Sequence, residues 1–396
     1  MSDHTTDPIP RLLISSTDAS VELGATSLAG PADAEADPLA DPLADPIARA
    51  AALLRAGWLV AFPTETVYGL GAVATDPAAV ARIFAAKQRP LSDPLIVHIA
   101  DPDAMRLVAR DIPPVAWELA ERFWPGPLTL VLPRSSRIPP IVAAGGDTVG
   151  VRLPAHPVAR ALIRAVGAPL AAPSANRFMH TSPTTAAHVL ADLDGRIAAV
   201  LDGGPCAVGV ESSVLDLTHQ PARLLRPGGV TLEQLRELLP DAQGAAPRQA
   251  EPSAVREMVA RAPGQMPRHY APSTRLVVYD ATGAAGRAAV LAGARRALGA
   301  GLRVGALVPD DEAAALTALG VVVERLGPSD ALAELTRRLY AALRALDAHG
   351  CDLLLAHSFT PEGLGLALWD RLRRAAGGDL TPPEDAESEA EPEVAP

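Results

Sequence analysis

The sequence predicts an α/β (α+β) chain of two domains, the second smaller and Rossmann-like. Three observations predict it. Residues 46–240 carry short apolar runs and helical patterns in irregular order, without the strict βαβ alternation of a doubly wound sheet. Residues 273–378 carry four strand patterns alternating with four helical ones, as a small parallel sheet requires. Between them, residues 241–272 turn to Pro, Ala, Gln and Gly, the composition of a linker.

Ordered structure is expected from Pro46. A helix over 47–56 ends at Gly57, and an apolar strand over 58–62 is broken by Pro63. Pro77 opens a helix over 77–88, with Val80, Ile83 and Phe84 on one face. Strands are expected over 95–99, 128–132, 148–153, 170–172, 199–201 and 214–217. Helices are expected over 115–123, 156–166, 184–193 and 232–239. In the second domain the strands read 276–279, 304–308, 321–325 and 353–357, and the helices 286–298, 311–319, 330–348 and 363–376. No G-x-G-x-x-G follows any of these strands, so dinucleotide binding is not supported.

Composition narrows the function classes. Two distant cysteines, Cys206 and Cys351, argue against a disulfide framework, a zinc site and secretion. The start MSDHTTDPIP is acidic rather than a signal sequence, and no apolar run reaches membrane length, so a cytoplasmic protein is expected. The net charge of -11 is carried by the ends. Residues 1–45 contribute -8 and residues 379–396 contribute -7, which leaves +4 for the body. Both ends are expected to be disordered acidic tails. The mildly basic body suits a small anionic substrate and lacks the basic, aromatic-interleaved stripe of direct nucleic-acid binding.

Lys87 is the one lysine in the chain, against 34 arginines. It begins Lys87-Gln88-Arg89-Pro90, two cations and a helix-stopping proline, which reads either as an anion holder or as a surface charge at a helix C-terminus. Four residues after Ile83, Lys87 continues the apolar face, which favours a pocket wall. Three further polar strings follow strands: Pro63 to Gly71, Pro173-Ser174-Ala175-Asn176, and Gly209-Val210-Glu211-Ser212-Ser213 with Arg226-Pro227-Gly228-Gly229 nearby. Each alone is ordinary loop chemistry. Together they put a lysine, arginines and hydroxyls at strand ends of one domain, as a nucleotide–phosphate site requires.

The strings FPTETVYGLG, KQRP…DPLIVH, PSAN…SPTTA, GVESSVLDL and RPGG resemble the threonylcarbamoyl-AMP synthase family, with its YrdC-like twisted mixed sheet. Pro263-Gly264-Gln265-Met266-Pro267-Arg268-His269-Tyr270-Ala271-Pro272, followed by a small α/β domain, resembles the longer two-domain members. The resemblance spans residues 46–376. It implies a catalytic domain over 46–240, a linker over 241–272 that closes on the site, and a small domain over 273–378.

The implied reaction joins L-threonine, bicarbonate and ATP into threonylcarbamoyl-adenylate and pyrophosphate, with Mg2+ on the phosphates and no protein metal site. A partner tRNA threonylcarbamoyl-transferase complex then uses the adenylate on tRNAs reading ANN codons, so this chain itself is not expected to bind tRNA. Such catalysis is positioning plus charge neutralisation. By the same resemblance Lys87 and Arg89 are the catalytic cations. Together with Asp93, Thr148, Ser174, Asn176, Ser182, Arg226 and Tyr270 they hold ATP. Thr66, His98, Arg152, Ala172 and Ser212 hold threonine, Arg152 as the bidentate carboxylate partner.

On residues alone, His98 also fits a satisfied core histidine, Glu211 a structural carboxylate and Arg152 a strand-edge arginine. The chain departs from the family pattern at Asp93, where asparagine is usual, at Arg177-Phe178-Met179-His180 in place of a glycine-containing loop, and at Ser213 for threonine. An RNA-binding or ribosome-maturation module is the alternative function for this fold. A related carbamoyl-transfer enzyme would need accessory segments absent from the sequence.

Overall fold

A computed structural model of the chain describes residues 12–15, 45–244, 269–378 and 380–383. The strands are β1 (Leu12–Ser15), β2 (Val60–Phe62), β3 (Gly69–Val73), β4 (Ile96–His98), β5 (Leu128–Pro133), β6 (Thr148–Arg152), β7 (Leu170–Ala171), β8 (Ala199–Asp202), β9 (Ser213–Asp216) and β10 (Arg223–Arg226), then β11 (Arg275–Tyr279), β12 (Val304–Val308), β13 (Val322–Arg325) and β14 (Leu353–His357). The helices are α1 (Pro46–Arg55), α2 (Pro77–Lys87), α3 (Met105–Val108), α4 (Pro114–Phe123), α5 (Pro157–Val166), α6 (Ala186–Leu193) and α7 (Leu232–Arg236), then α8 (Gly283–Gly299), α9 (Asp310–Ala318), α10 (Leu332–Ala348) and α11 (Leu364–Ala375).

The first ten strands form one mixed sheet in the order β1-β8-β2-β3-β7-β4-β6-β5-β9-β10. Parallel pairs (such as β4 with β6, β5 with β9) are mixed with antiparallel ones (such as β3 with β7, β5 with β6), which accounts for the irregular element order of the sequence. The second sheet, β11-β14-β12-β13, is parallel throughout. In β11, Leu276 and Val278 pack with α10 and α11, while Val277 and Tyr279 pack with α8 and α9. The period of two therefore puts a helical layer on each face, as a Rossmann-like domain requires.

Two strands were not expected from sequence. β3 is Gly-Leu-Gly-Ala-Val, without the β-branched run that marks a strand. It exists because β2 and β7 pair with it on either side. β10 ends in Arg226, which the sequence places in a loop, and pairs with β9. A third difference concerns the acidic N-terminal tail, expected to be disordered as far as residue 45. Its Leu-Leu-Ile-Ser run forms β1, parallel to β8, whose edge offers unpaired backbone groups. The rest of both tails, and linker residues 245–268, lie outside the described residues.

The two sheets share packing. Val67 and Val210 of the first domain and Tyr270 of the linker join the core built on Leu335, Leu339 and Tyr340 of α10. Gly209 permits this approach: it has φ +81°, and a Cβ there would lie 2.4 Å from the Arg337 Cα. Among the described residues, no helix is long and apolar enough to cross a membrane.

Candidate active site

One pocket gathers the ends of seven strands of the large sheet. Its wall includes Thr64 and Thr66 after β2, Gly69 of β3, Ile96 and His98 of β4, Arg152 of β6 and Ala172 after β7. Pro173, Ser174, Arg89, Glu211, Ser212 before β9, Arg226 of β10, and His269 and Tyr270 complete it. The cavity is about 40 Å³, room for a few waters and far below the size of a nucleotide pocket. His269 and Tyr270, both buried, occupy the side nearest the second domain.

Local chemistry sets each segment. The Thr64 hydroxyl accepts from the N–H groups of Thr66 and Val67 at 3.2 Å each, a side-chain-capped turn that ends β2. Helix α2 ends in a left-handed Gln88 (φ 55°), after which Pro90 bars further helix. Arg89 then folds back: Nε donates to the Asp93 carbonyl at 3.1 Å and NH2 to that of Pro94 at 2.7 Å. Asp93 pairs with Arg89 at 3.0 Å, both being buried. Burial pushes the Asp93 carboxyl up, against the pull of Arg89.

Lys87 is 1% exposed and lies behind the wall. Its Nζ donates to the carbonyls of Ser174 and Asn176, both at 2.5 Å. Burial, then repulsion from Arg89, holds the ammonium well below its ordinary pKa. The sequence alternative of a surface charge at a helix end is thereby excluded. Asn176 itself is buried and its Nδ2 donates to the carbonyls of Arg177 and His180 at 2.9 and 2.6 Å, so the loop that departs from the family pattern is closed by the Asn176 side chain.

His98 and Arg152 are register partners on parallel strands β4 and β6, so their side chains emerge together. Burial, then Arg152, lowers His98 to about 3, leaving a neutral imidazole. Its Nδ1 is buried without a hydrogen-bond partner in a wall that faces the cavity. Arg152 pairs with Glu65 at 2.7 Å, and Glu65 accepts from the Ala155 N–H at 3.0 Å. Ser212 Oγ lies 2.8 Å from Thr129 Oγ1, and Arg226 donates to the Ser212 carbonyl at 2.9 Å.

Glu211 is the one carboxylate of the wall. Ser182 donates to it at 2.5 Å, Tyr340 at 2.9 Å and Arg371 at 2.7 Å, the last two from the second domain. Burial alone would raise this carboxyl, but Arg371, Arg226 and these hydrogen bonds hold it at about 2.

Of the sequence-derived site residues, Thr66, Arg89, His98, Arg152, Ala172, Ser174, Ser212, Arg226 and Tyr270 all line the cavity. Lys87, Asp93, Asn176 and Ser182 stand behind that wall, Lys87 and Asn176 in the loop ties already given, Asp93 on Arg89 and Ser182 on Glu211. Thr148 opens β6 opposite Pro133, four residues and about 13 Å of strand from Arg152. Sequence reasoning missed Glu65, and it missed His269 although His269 adjoins Tyr270. The neighbouring aromatics Phe178 and Tyr270 hold His269 edge-on.

Comparison with known proteins decides the family. A family model described as "Telomere recombination" matches residues 52–228, and one described as "Threonylcarbamoyl-AMP synthase, C-terminal domain" matches residues 230–377. The chain is 44% identical over 331 residues to the threonylcarbamoyl-AMP synthase of Pyrococcus abyssi, covering 83% of this chain and 93% of that one. The chain belongs to the threonylcarbamoyl-AMP synthase family. The Bacillus subtilis threonylcarbamoyl-AMP synthase is likewise 44% identical, over 83% of this chain and 92% of its own. The crystal structure of P. abyssi Sua5 complexed with L-threonine matches with a TM-score of 0.77 at 43% identity, over 85% of this chain and 96% of that one. A threonylcarbamoyl-AMP synthase is a nucleotidyltransferase that uses ATP and threonine to supply tRNA threonylcarbamoyladenosine modification, and this is the activity of the chain. The RNA-binding alternative is set aside by the same matches.

Proposed function

We propose that this one pocket condenses L-threonine, bicarbonate and ATP, releasing pyrophosphate with threonylcarbamoyl-AMP. The observation that carries the proposal is the charge of the wall: Arg89, Arg152 and Arg226 converge beside the neutral His98. Arg152, oriented by Glu65, takes the threonine carboxylate. Thr66, His98, the backbone of Ala172 and Ser212 take its amine and hydroxyl. Bicarbonate takes up a proton and loses water to give CO2; the amine adds to that CO2 and releases a proton, leaving a carbamate. A carbamate oxygen then bonds to the α-phosphorus while the bond from that phosphorus to the pyrophosphate oxygen breaks.

Arg89 and Arg226 face the phosphates directly, while Lys87 adds its charge from behind and fixes the loop from Ser174 to Asn176. Ser174, Asn176 and Ser182 support the nucleotide from the loop after β7, Asp93 acts on it through Arg89, Thr148 adds a contact from the start of β6, and Tyr270 closes over it. A cavity of about 40 Å³ admits neither ATP nor threonine, so His269 and Tyr270 move aside for their entry. The small domain acts as the other jaw of this lid.

Among the described residues, no group of three His, Cys, Asp or Glu side chains is arranged to hold a metal ion. The two carboxylates nearest the phosphates, Asp93 and Glu211, are each given to an arginine. Carboxylates paired in this way fit an Mg2+ that arrives on the ATP phosphates. When bound, Mg2+ neutralises phosphate charge. The product is a mixed anhydride prone to hydrolysis, which calls for a cytoplasmic transferase complex to consume it on tRNA.

Pyrophosphate release by purified protein with Mg2+ and ATP tests the proposal. Release is expected only when threonine and bicarbonate are both present. Equal release without threonine would sink it.

A further inference from the structure

We infer that Arg371, on the last helix of the second domain, is a positioning residue of the active site. The inference rests on the reading of the pocket above. Arg371 is 1% exposed and does not itself line the cavity, but it touches two residues that do, Glu211 and Tyr270. Its Nε donates to Glu211 at 2.7 Å and its NH2 to the Pro227 carbonyl at 3.0 Å. Its NH1 donates to Asp370 at 2.6 Å, and the guanidinium sits 5.1 Å from the centre of the Tyr270 ring.

The spacing of these partners gives the role. Glu211 immediately precedes Ser212, and Pro227 immediately follows Arg226. Ser212 and Arg226 are themselves bonded, Nε and NH2 of Arg226 donating to the Ser212 carbonyl at 3.1 and 2.9 Å. One guanidinium thus brackets both segments that carry these cavity residues, and stacks against Tyr270, a third. Three separate segments thus meet on one side chain of the other domain.

Charge makes the bracket consequential. Glu211 is an ionised carboxylate in the wall of an anion site. With Arg371 in place its charge is matched from behind. Without it, Arg226, which is also coupled to Glu211, would be drawn toward that carboxylate and away from the nucleotide. The unmatched carboxylate would also repel a triphosphate. Lysine cannot replace Arg371, because a single ammonium on a flexible stem does not present a rigid planar fork to Glu211, Pro227 and Asp370 together.

The test uses the full chain as Arg371→Lys and as the double variant Arg371→Met with Glu211→Gln, which removes both buried charges. Thermal melting, ATP affinity by calorimetry and steady-state pyrophosphate release are measured on each. For folded Arg371→Lys, KM for ATP and for threonine should rise about tenfold, with kcat within about threefold of wild type. The ATP Kd should weaken by a similar factor. The double variant should regain melting temperature but not the two KM values, which a purely structural role would restore together. Wild-type KM values in folded Arg371→Lys, or their full recovery in the double variant, would overturn the inference. If the wild type binds ATP yet forms no product, the catalytic reading fails and calorimetry on Arg371→Lys still decides the positioning role. If the wild type binds no ATP, both fall.

Discussion

The Nζ of Lys87 donates to the main-chain oxygen of Ser174, so the single lysine of the chain ties the end of α2 to the loop after β7. It makes the same bond to Asn176, two residues on. The slot is shaped for a compact ammonium with tetrahedral donors, and a planar guanidinium placed there would push the loop outward. Lys87→Arg is therefore expected to keep its far-UV circular dichroism and lose about 100-fold or more of threonylcarbamoyl-AMP formation, the scale of loss that follows a displacement of about 1 Å. Near-normal turnover would show that the tie is dispensable.

Asp93 stands 3.0 Å from Arg89 with both side chains buried. Its carboxylate neutralises a guanidinium that faces the phosphate site. Arg89 is also held by the carbonyls of Asp93 and Pro94, which do not depend on the side chain at 93. Asp93→Asn should keep Arg89 in place while freeing its charge, so the KM for ATP is expected to fall about threefold to tenfold. A rise in that KM would mean that the ion pair orients Arg89 rather than competing for it.

How much of this was legible follows from which residues carry their own signal. The second domain could be read because Leu276 to Tyr279, Val304 to Val308 and Leu353 to Ala356 are apolar on both faces, and each is followed by a helical period. β3 was missed because Gly69, Gly71 and Ala72 owe their strand state to β2 and β7, not to intrinsic preference. Gly71 is needed there because a Cβ would lie 2.8 Å from the Phe62 ring. The cavity wall was legible where a motif contributed it, as at Arg89, Ser174 and Ser212. The partners that set its charge were not. Glu211 and Arg371 are 160 residues apart, and nothing in a single sequence marks them as a pair. Glu65 and Arg152 are hidden for the same reason.

Gly209 holds the two domains in contact. A Cβ at this position would meet the Arg337 Cα, O and C at 2.4, 2.5 and 2.7 Å, all backbone of α10, and its φ of +81° is itself strained for any other residue. Gly209→Ala should cost about 2–4 kcal/mol, overpacking and strain together. Because α10 carries Tyr340 to Glu211, the KM for ATP should rise in the same variant. Melting and KM measured together check this. Destabilisation with an unchanged KM would separate domain contact from the site.

Glu211 makes the stability of the assembled site depend on acid. Its folded carboxyl lies at about 2 against an ordinary 4.5, despite burial, because Arg371, Arg226 and the bonded donors favour the charged form. A carboxyl depressed in the folded state contributes stability that is fully present above the unfolded value and is lost as pH falls through the folded one. The window is therefore from pH 4.5 down to about 2. Glu211→Gln leaves the buried Arg371 with Asp370 as its remaining counter-charge and its Nε without a charged acceptor, and should be less stable than wild type by about 1–3 kcal/mol near neutrality. Across the window the wild type takes up a proton at Glu211 and comes to resemble the variant, so the gap between them should shrink toward zero by about pH 2. Urea titrations of both proteins at several pH values measure that gap. A gap that stays constant from neutrality to the acid limit would show that Glu211 is held by shape and not by charge.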